Sequence, residues 1–269
     1  MQKQRFELKY LLSEDTAMQV RDFVRSYLDL DEYSVGQPNY SYPVHSLYLD
    51  SDDLQLYWDT INGTKNRFKL RLRYYSTKPG APIFFEIKRR MNSCILKQRG
   101  GVRQEFVPEL LGGQLPQPEH LISKAPNHLV TLQRFCYLQQ ECCAKPKVHI
   151  AYLREAYVSD NDEVRVTLDR NVCAEPNLEL RVQTNMSEVV RSYPQFVILE
   201  LKFTNRFPDW FKELVRVCNI MQCGAAKYVE SVQGLGSRRL RACLPVVEEA
   251  VQFARLEERK ERWMGNGRS

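Results

Sequence analysis

The chain has 269 residues, 43% hydrophobic and 27% charged, with a formal net charge of +6. That composition supports a large apolar core, excludes disorder on the scale of the chain, and offers no run near the about 20 apolar residues that span a bilayer. The positive balance favours anionic partners without naming one.

Eight cysteines lack the regular spacing of a secreted disulfide scaffold, and Met1 to Arg5 leads into no apolar signal segment, so a reducing cytoplasm is the expected setting. There is no CxxC pair, and His45, His120, His128 and His149 read as isolated, so zinc is not expected and these side chains read as structural.

Residues 5–12 alternate charged and apolar side chains, the period-two mark of a strand with two unlike faces. Ser13 is the predicted N-cap of a helix running to about Leu30, on the spacing of Met18, Val20, Phe23, Val24, Tyr27 and Leu28. Gly36-Gln37-Pro38-Asn39 marks 31–43 as loop. Residues 45–50 read as a strand, and Ser51-Asp52-Asp53 as the cap of a short helix through Trp58. Strands at 67–75, 82–90 and 94–99 are separated by the turn signals Lys78-Pro79-Gly80 and Met91-Asn92-Ser93. Gly100-Gly101 and Gly112-Gly113 read as turns, since neither leads into the Lys-Ser or Lys-Thr of a P-loop. A helical insert follows over about 104–143. Strands resume at 148–158, 163–169, 178–182 and 196–203, and Pro208 opens a helix through Met221. A charged amphipathic helix over about 245–263 ends the pattern. No linker or repeat divides the chain, so 1–269 is taken as one domain.

The strands share one peculiarity. Arg5, Glu7 and Lys9 face away from Phe6, Leu8 and Tyr10; Lys69, Arg71 and Arg73 face away from Phe68, Leu70 and Leu72. The same separation places Glu86 and Lys88 together, then Lys97 and Arg99, Arg154, Arg165 and Asp169, and Glu200 and Lys202. Charges on bulk water would make this a solvated sheet surface; a sheet closed on itself with helices outside would turn them into a lumen. Helical segments with apolar faces precede, interrupt and follow the strands and need the apolar parity as a partner, which favours closure. The expected fold is therefore α+β: a closed antiparallel β-barrel tunnel with helices packed outside. Lys9, Arg71, Arg73, Lys88, Lys97, Arg99, Arg154, Arg165 and Lys202 would line it, against Glu7, Glu86 and Glu200. So many inward cations require water and a polyanion beside them, and Arg supplies the paired donors that phosphate oxygens accept. The few carboxylates suit Mg²⁺ or Mn²⁺ shared with phosphate oxygens. Asp169 is read equally as a metal ligand or as the partner of Arg165 or another tunnel cation.

At Glu7-Leu8-Lys9, Glu86-Ile87-Lys88 and Glu200-Leu201-Lys202 the sequence resembles the triphosphate tunnel metalloenzyme superfamily, and more closely the VTC domain of polyphosphate polymerases. Arg5 to Tyr10, Lys69 to Tyr74, Phe85 to Lys88, Tyr152-Leu153-Arg154, Arg165 to Asp169, Ile198 to Lys202 and Lys227-Tyr228 fall in family order. The resemblance implies metal-dependent transfer of the γ-phosphate of ATP onto a growing polyphosphate. It implies phosphate binding by Lys9, Arg71, Arg73, Lys88, Lys97, Arg154, Arg165 and Lys227, and metal binding by Glu200. Lys9, Arg71, Arg73, Arg165 and Lys202 are the expected catalytic residues; Arg5, Lys69 and Arg99 join Lys88, Lys97, Arg154 and Lys227 in substrate binding, and Glu7 and Glu86 join the metal set. Two departures stand out: Arg5 precedes Glu7 where hydrolytic members carry a further glutamate, and Ala226 precedes Lys227 where polymerase relatives commonly have serine.

An inorganic or nucleoside triphosphatase, or a non-catalytic polyphosphate-binding module, would use the same tunnel. Nucleic acid is not expected, because the basic face of each strand is largely free of Phe and Trp. The expected partners are ATP and inorganic polyphosphate. A membrane-protein partner docked by the 245–263 helix, at the inner face of a membrane, is the weaker extension.

Overall fold

The computed structural model describes residues 5–92 and 94–241. β1 (Arg5–Leu12) keeps the predicted alternation and gives way at Ser13, whose hydroxyl accepts from the Thr16 amide and caps α1 (Glu14–Val24). That helix stops short of Leu30, and Asp29–Leu30 instead forms β2, a short strand on the edge of β7. β3 (Ser41–Asp50) starts earlier than expected. The following helix α2 (Gln55–Ile61) is held less by Ser51 alone than by buried Asp50, whose carboxylate accepts from the amides of Leu56 and Tyr57.

β4 (Asn66–Tyr74), β5 (Ile83–Met91) and β6 (Cys94–Val102) form the predicted meander. Gly100 and Gly101 lie inside β6 rather than in a turn. A Cβ on Gly100 would stand 3.1 Å from the His128 carbonyl oxygen, so glycine admits the helix packed above. The insert is α3 (Val107–Leu111) and α4 (Pro126–Glu141), with Leu132, Phe135 and Cys136 buried against the outer side of β4–β6.

β7 (Lys145–Val158) and β8 (Val164–Pro176) are the longest strands. The strand expected at 178–182 does not form. Buried Asn177 accepts from the Arg181 amide and donates to its carbonyl, and Leu180 takes a left-handed φ of 52°, so the chain loops there. β9 (Val190–Arg191) and β10 (Val197–Thr204) follow. α5 (Asp209–Val217) ends four residues before Met221, and α6 (Lys227–Leu235) and α7 (Ser237–Leu240), which the sequence reading did not place, complete the description. The 245–263 helix lies outside the described residues.

The neighbour order is β2-β7-β3-β4-β5-β6-β1-β10-β8-β9, with β7 also paired to β8 and all pairings antiparallel. The expected closed barrel is corrected to a tunnel-like α+β sheet. At the β6–β1 seam the described residues share one pair, Arg5↔Ile95. The cause is register: beyond Phe6, β1 has already passed the start of β6 at Cys94, so on that edge it has no strand beside it, while its other edge stays paired with β10. The 222–223 segment covers that edge instead, with Tyr10 bridged to Gln222 and the Cys223 amide donating to the Lys9 carbonyl at 2.9 Å.

Two apolar layers cover the outside, α3 and α4 on one side and α1 with α5 on the other. A third cluster lies on the concave face. There α6 sets Tyr228, Val229, Val232 and Leu235 against Val44, Val148, Ile150, Val172 and Ile198, filling part of the trough with hydrocarbon.

Candidate functional site

The rest of the concave face is a cavity of about 1440 Å³. Fourteen basic side chains line it against two acidic ones, Glu7 and Glu200. Lys9, Lys69, Arg71, Arg73, Lys88, Lys97, Arg99, Arg154, Arg165, Lys202 and Lys227 are all among them, so period-two parity brought these predicted residues to one space. Arg5 is described only at its backbone, as the first residue of β1. Arg67, Arg89 and Arg90 also line the cavity and were missed, although Arg67 and Arg90 share parity with Lys69 and Lys88.

The cations are organised around carboxylates. Glu200 on β10 faces Lys9 (3.3 Å), Arg154 (3.3 Å), Lys202 (2.6 Å) and Lys227 (3.0 Å). Burial works to raise its carboxyl, but Lys202, Lys227, Lys9 and Arg154 hold it well below the usual range. Asp169 lies behind it, fully buried, bound by Nε and Nη2 of Arg154 and by Lys227 (2.6 Å). It does not orient Arg165, which pairs with buried Asp31 at 2.7 Å.

Glu7 lines the cavity from the neighbouring strand, in register with Lys202, and takes Lys88 (2.9 Å) and Lys9 (3.2 Å). Glu86 is different. It is fully buried, lies outside the cavity lining, and is enclosed by Arg71 (2.7 Å), Lys97 (2.7 Å), Arg99 (3.4 Å) and Arg73 (4.0 Å). Its oxygens face guanidinium and ammonium groups rather than the open space.

Lys69 has no ion pair among the described residues; its ammonium stands 5.8 Å over the Tyr228 ring. Burial, with Lys88, Lys9 and Arg67 adding repulsion, brings its pKa down to about 8. Lys202 falls to about 8 through burial and Arg154, even with Glu200 beside it.

Tyrosines complete the wall. Tyr48 accepts from Arg71 at 3.0 Å and stacks on Tyr228 at 4.9 Å, and the Tyr228 hydroxyl donates to Asp50 at 2.6 Å. Tyr152 accepts from Arg73 at 2.8 Å. Burial raises the Tyr48 phenol, yet Arg71, Arg73 and Lys69 outweigh it and bring it to about 8. Starting the second strand at His45 hid Tyr42, although Tyr42, Ser46 and Tyr48 follow the same parity.

One expectation away from the cavity is corrected. His45 and His149 are not isolated: on the outer side of the sheet their rings are 3.1 Å apart (Nδ1 to Nε2), and His149 Nδ1 meets Glu175 at 3.0 Å. They are distant in sequence and meet through the β3–β7 register. The seven described cysteines are free thiols.

A family model described as the VTC domain matches residues 4–235. The comparison with curated proteins finds no match. Among solved structures, a candidate adenylate cyclase from Bacillus halodurans is 14% identical, with 83% of this chain and 94% of that one covered and a TM-score of 0.47. The Mediator head module of Schizosaccharomyces pombe is 10% identical, with 82% and 100% covered and a TM-score of 0.43.

Proposed function

The chain belongs to the VTC domain family, and from that premise we propose that it is a polyphosphate polymerase, transferring the γ-phosphate of ATP to a growing inorganic polyphosphate. The observation that carries this reading is the cavity lining, fourteen cations against two carboxylates. Such a surplus is tolerable only beside water and a dense anion. A chain of phosphates offers acceptor oxygens along its whole length, which a lining of Lys and Arg from several strands can follow.

The protein's part in such a transfer is alignment and charge stabilisation. Arg71 and Arg73, fixed from behind by Tyr48, Tyr152 and Ser46, present a rigid pair of guanidinium groups. Lys9, Lys202 and Lys227, gathered on Glu200, bring ammonium groups to the opposite wall. An ionised terminal phosphate as acceptor needs no general base.

A divalent ion fits the donor set in a restricted way. No group of three His, Cys, Asp or Glu residues gathers among the described residues. Glu7 and Glu200 lie on adjacent paired strands at the cavity surface, enough for an ion that completes its shell with phosphate oxygens and water. Bound there, Mg²⁺ or Mn²⁺ would neutralise developing charge on phosphate oxygens. Glu86 is left out of this set, because its cations and its burial keep it from the cavity.

The test is incubation with ATP and Mn²⁺ or Mg²⁺. Long polyphosphate with ADP is the expected product. Free phosphate in its place would identify a triphosphatase, and tight tripolyphosphate binding without turnover a binding module. No helix among the described residues is long and apolar enough to cross a membrane.

A further inference from the structure

One rim of the cavity is aromatic rather than basic. Tyr33, Tyr42, Tyr75 and Phe84 all line it, with ring centroids 6.0 Å (Tyr33–Tyr42), 6.1 Å (Tyr42–Tyr75) and 6.2 Å (Tyr75–Phe84) apart. The Arg99 guanidinium lies 3.4 Å from the Phe84 ring centre and 6.0 Å from that of Tyr75. Tyr33 is 64% exposed and Tyr75 37% exposed, so flat ring surface is left open to solvent beside the cations.

A bare phosphate chain has no apolar surface and no π face, so the faces of these rings gain nothing from it. Their placement does suit a ligand that is anionic at one end and flat and aromatic at the other. The rim is also tied to the cationic wall by one side chain: Asp31, buried, accepts from the Tyr33 amide at 3.1 Å and pairs with Arg165 at 2.7 Å. The group that sets Tyr33 therefore also sets a phosphate-facing guanidinium.

We infer that Tyr33 and Tyr75, backed by Tyr42 and Phe84, form a stacking platform for the base of a nucleoside triphosphate whose phosphates enter the cationic part of the cavity. This rests on the reading of the cavity as a triphosphate site and adds the nucleoside end to it. Stacking reads ring faces rather than edges. Purine nucleotides are therefore favoured over pyrimidine nucleotides by face area, with weak discrimination between adenine and guanine.

The test uses calorimetric titration with two ligands, the non-hydrolysable β,γ-imido analogue of ATP and inorganic tripolyphosphate, against the unmodified chain, Tyr33→Ala/Tyr75→Ala and Tyr75→Phe. The double variant is expected to lose about tenfold or more in affinity for the nucleotide, the scale of one stacked base, with tripolyphosphate affinity unchanged. Tyr75→Phe, which keeps the ring and removes only the hydroxyl, is expected to bind both ligands as the unmodified chain does. Equal losses for both ligands, or no loss for the nucleotide, would overturn the platform while leaving the triphosphate site standing. Failure of the unmodified chain to bind tripolyphosphate would overturn both.

Discussion

Glu86 and Glu200 invite comparison, because each sits among four cations on a strand of the same sheet and in the same Glu-x-Lys setting. On the β4–β6 wall the cations close over Glu86 and bury it completely. On the β10 wall Glu200 keeps a face on the cavity, and a second carboxylate, Asp169, shares Arg154 and Lys227 with it. One motif thus yields a structural clasp that orients guanidinium groups and a carboxylate that lines the cavity and shares its cations with Asp169. The number of cations around a carboxylate does not separate these roles; access and a backup counter-charge do.

The largest effect expected from this contrast is on stability. Glu86→Gln leaves Arg71 and Arg73 buried without their counter-charge, a loss on the order of 3–5 kcal/mol, readable as a lowered denaturation midpoint. Glu200→Gln should lose clearly less, because Asp169 remains against Arg154 and Lys227, while metal-dependent turnover disappears in a product assay. Equal stability losses, or undiminished Mn²⁺ activation of Glu200→Gln, would erase the distinction.

The next effect concerns pH. Burial first, and neighbouring cations second, bring Lys69 and Lys202 down to about 8 from the ordinary 10.5. A polyanion favours their charged forms, so tripolyphosphate affinity should fall as pH rises from 7 through 8 to 9. Lys69→Arg, which stays charged, should flatten that fall in calorimetric titrations. The sign for the unliganded fold is opposite: between about 8 and 10.5 the unfolded chain holds more protons, so these two lysines make the folded state gain stability as pH rises.

Smaller still is Tyr48→Phe, which removes the acceptor that holds Arg71. About 1 kcal/mol of stability should be lost, with a few-fold rise in KM and little change in the denaturant slope. Least of all is Ala226→Ser. Ala226 is the N-cap of α6 and offers no side-chain acceptor, so a serine there should add about 0.5–1 kcal/mol, seen as a small rise in Tm.

The charged stripes were legible because strand parity is local: once 67–75 is a strand, Lys69, Arg71 and Arg73 must share a face. What parity does not carry is which inward charge is open and which is enclosed. Glu86 and Glu200 look alike in sequence, and only the packing of Lys97 and Arg99 from β6 separates them. The seam at β1 was hidden for a related reason, since closure depends on how far two strands overlap and not on their composition. α6 was missed because its start carries no capping signal: Ala226 precedes Lys227 and offers no side-chain acceptor. The pairing of His45 with His149 required a register that single-strand patterns do not contain.

That outer-face histidine pair gives the molecule a weakness toward acid. His45 is buried against His149 and brought down to about 4 from 6.5, by burial first and by its neighbour second. A protonated imidazole there would have to be placed beside another ring and Tyr74, without a carboxylate of its own, while the unfolded chain takes up that proton freely. Mild acidification, from 6.5 towards 4, therefore draws the chain towards unfolding through β3 and β7, on the side of the sheet away from the cationic cavity.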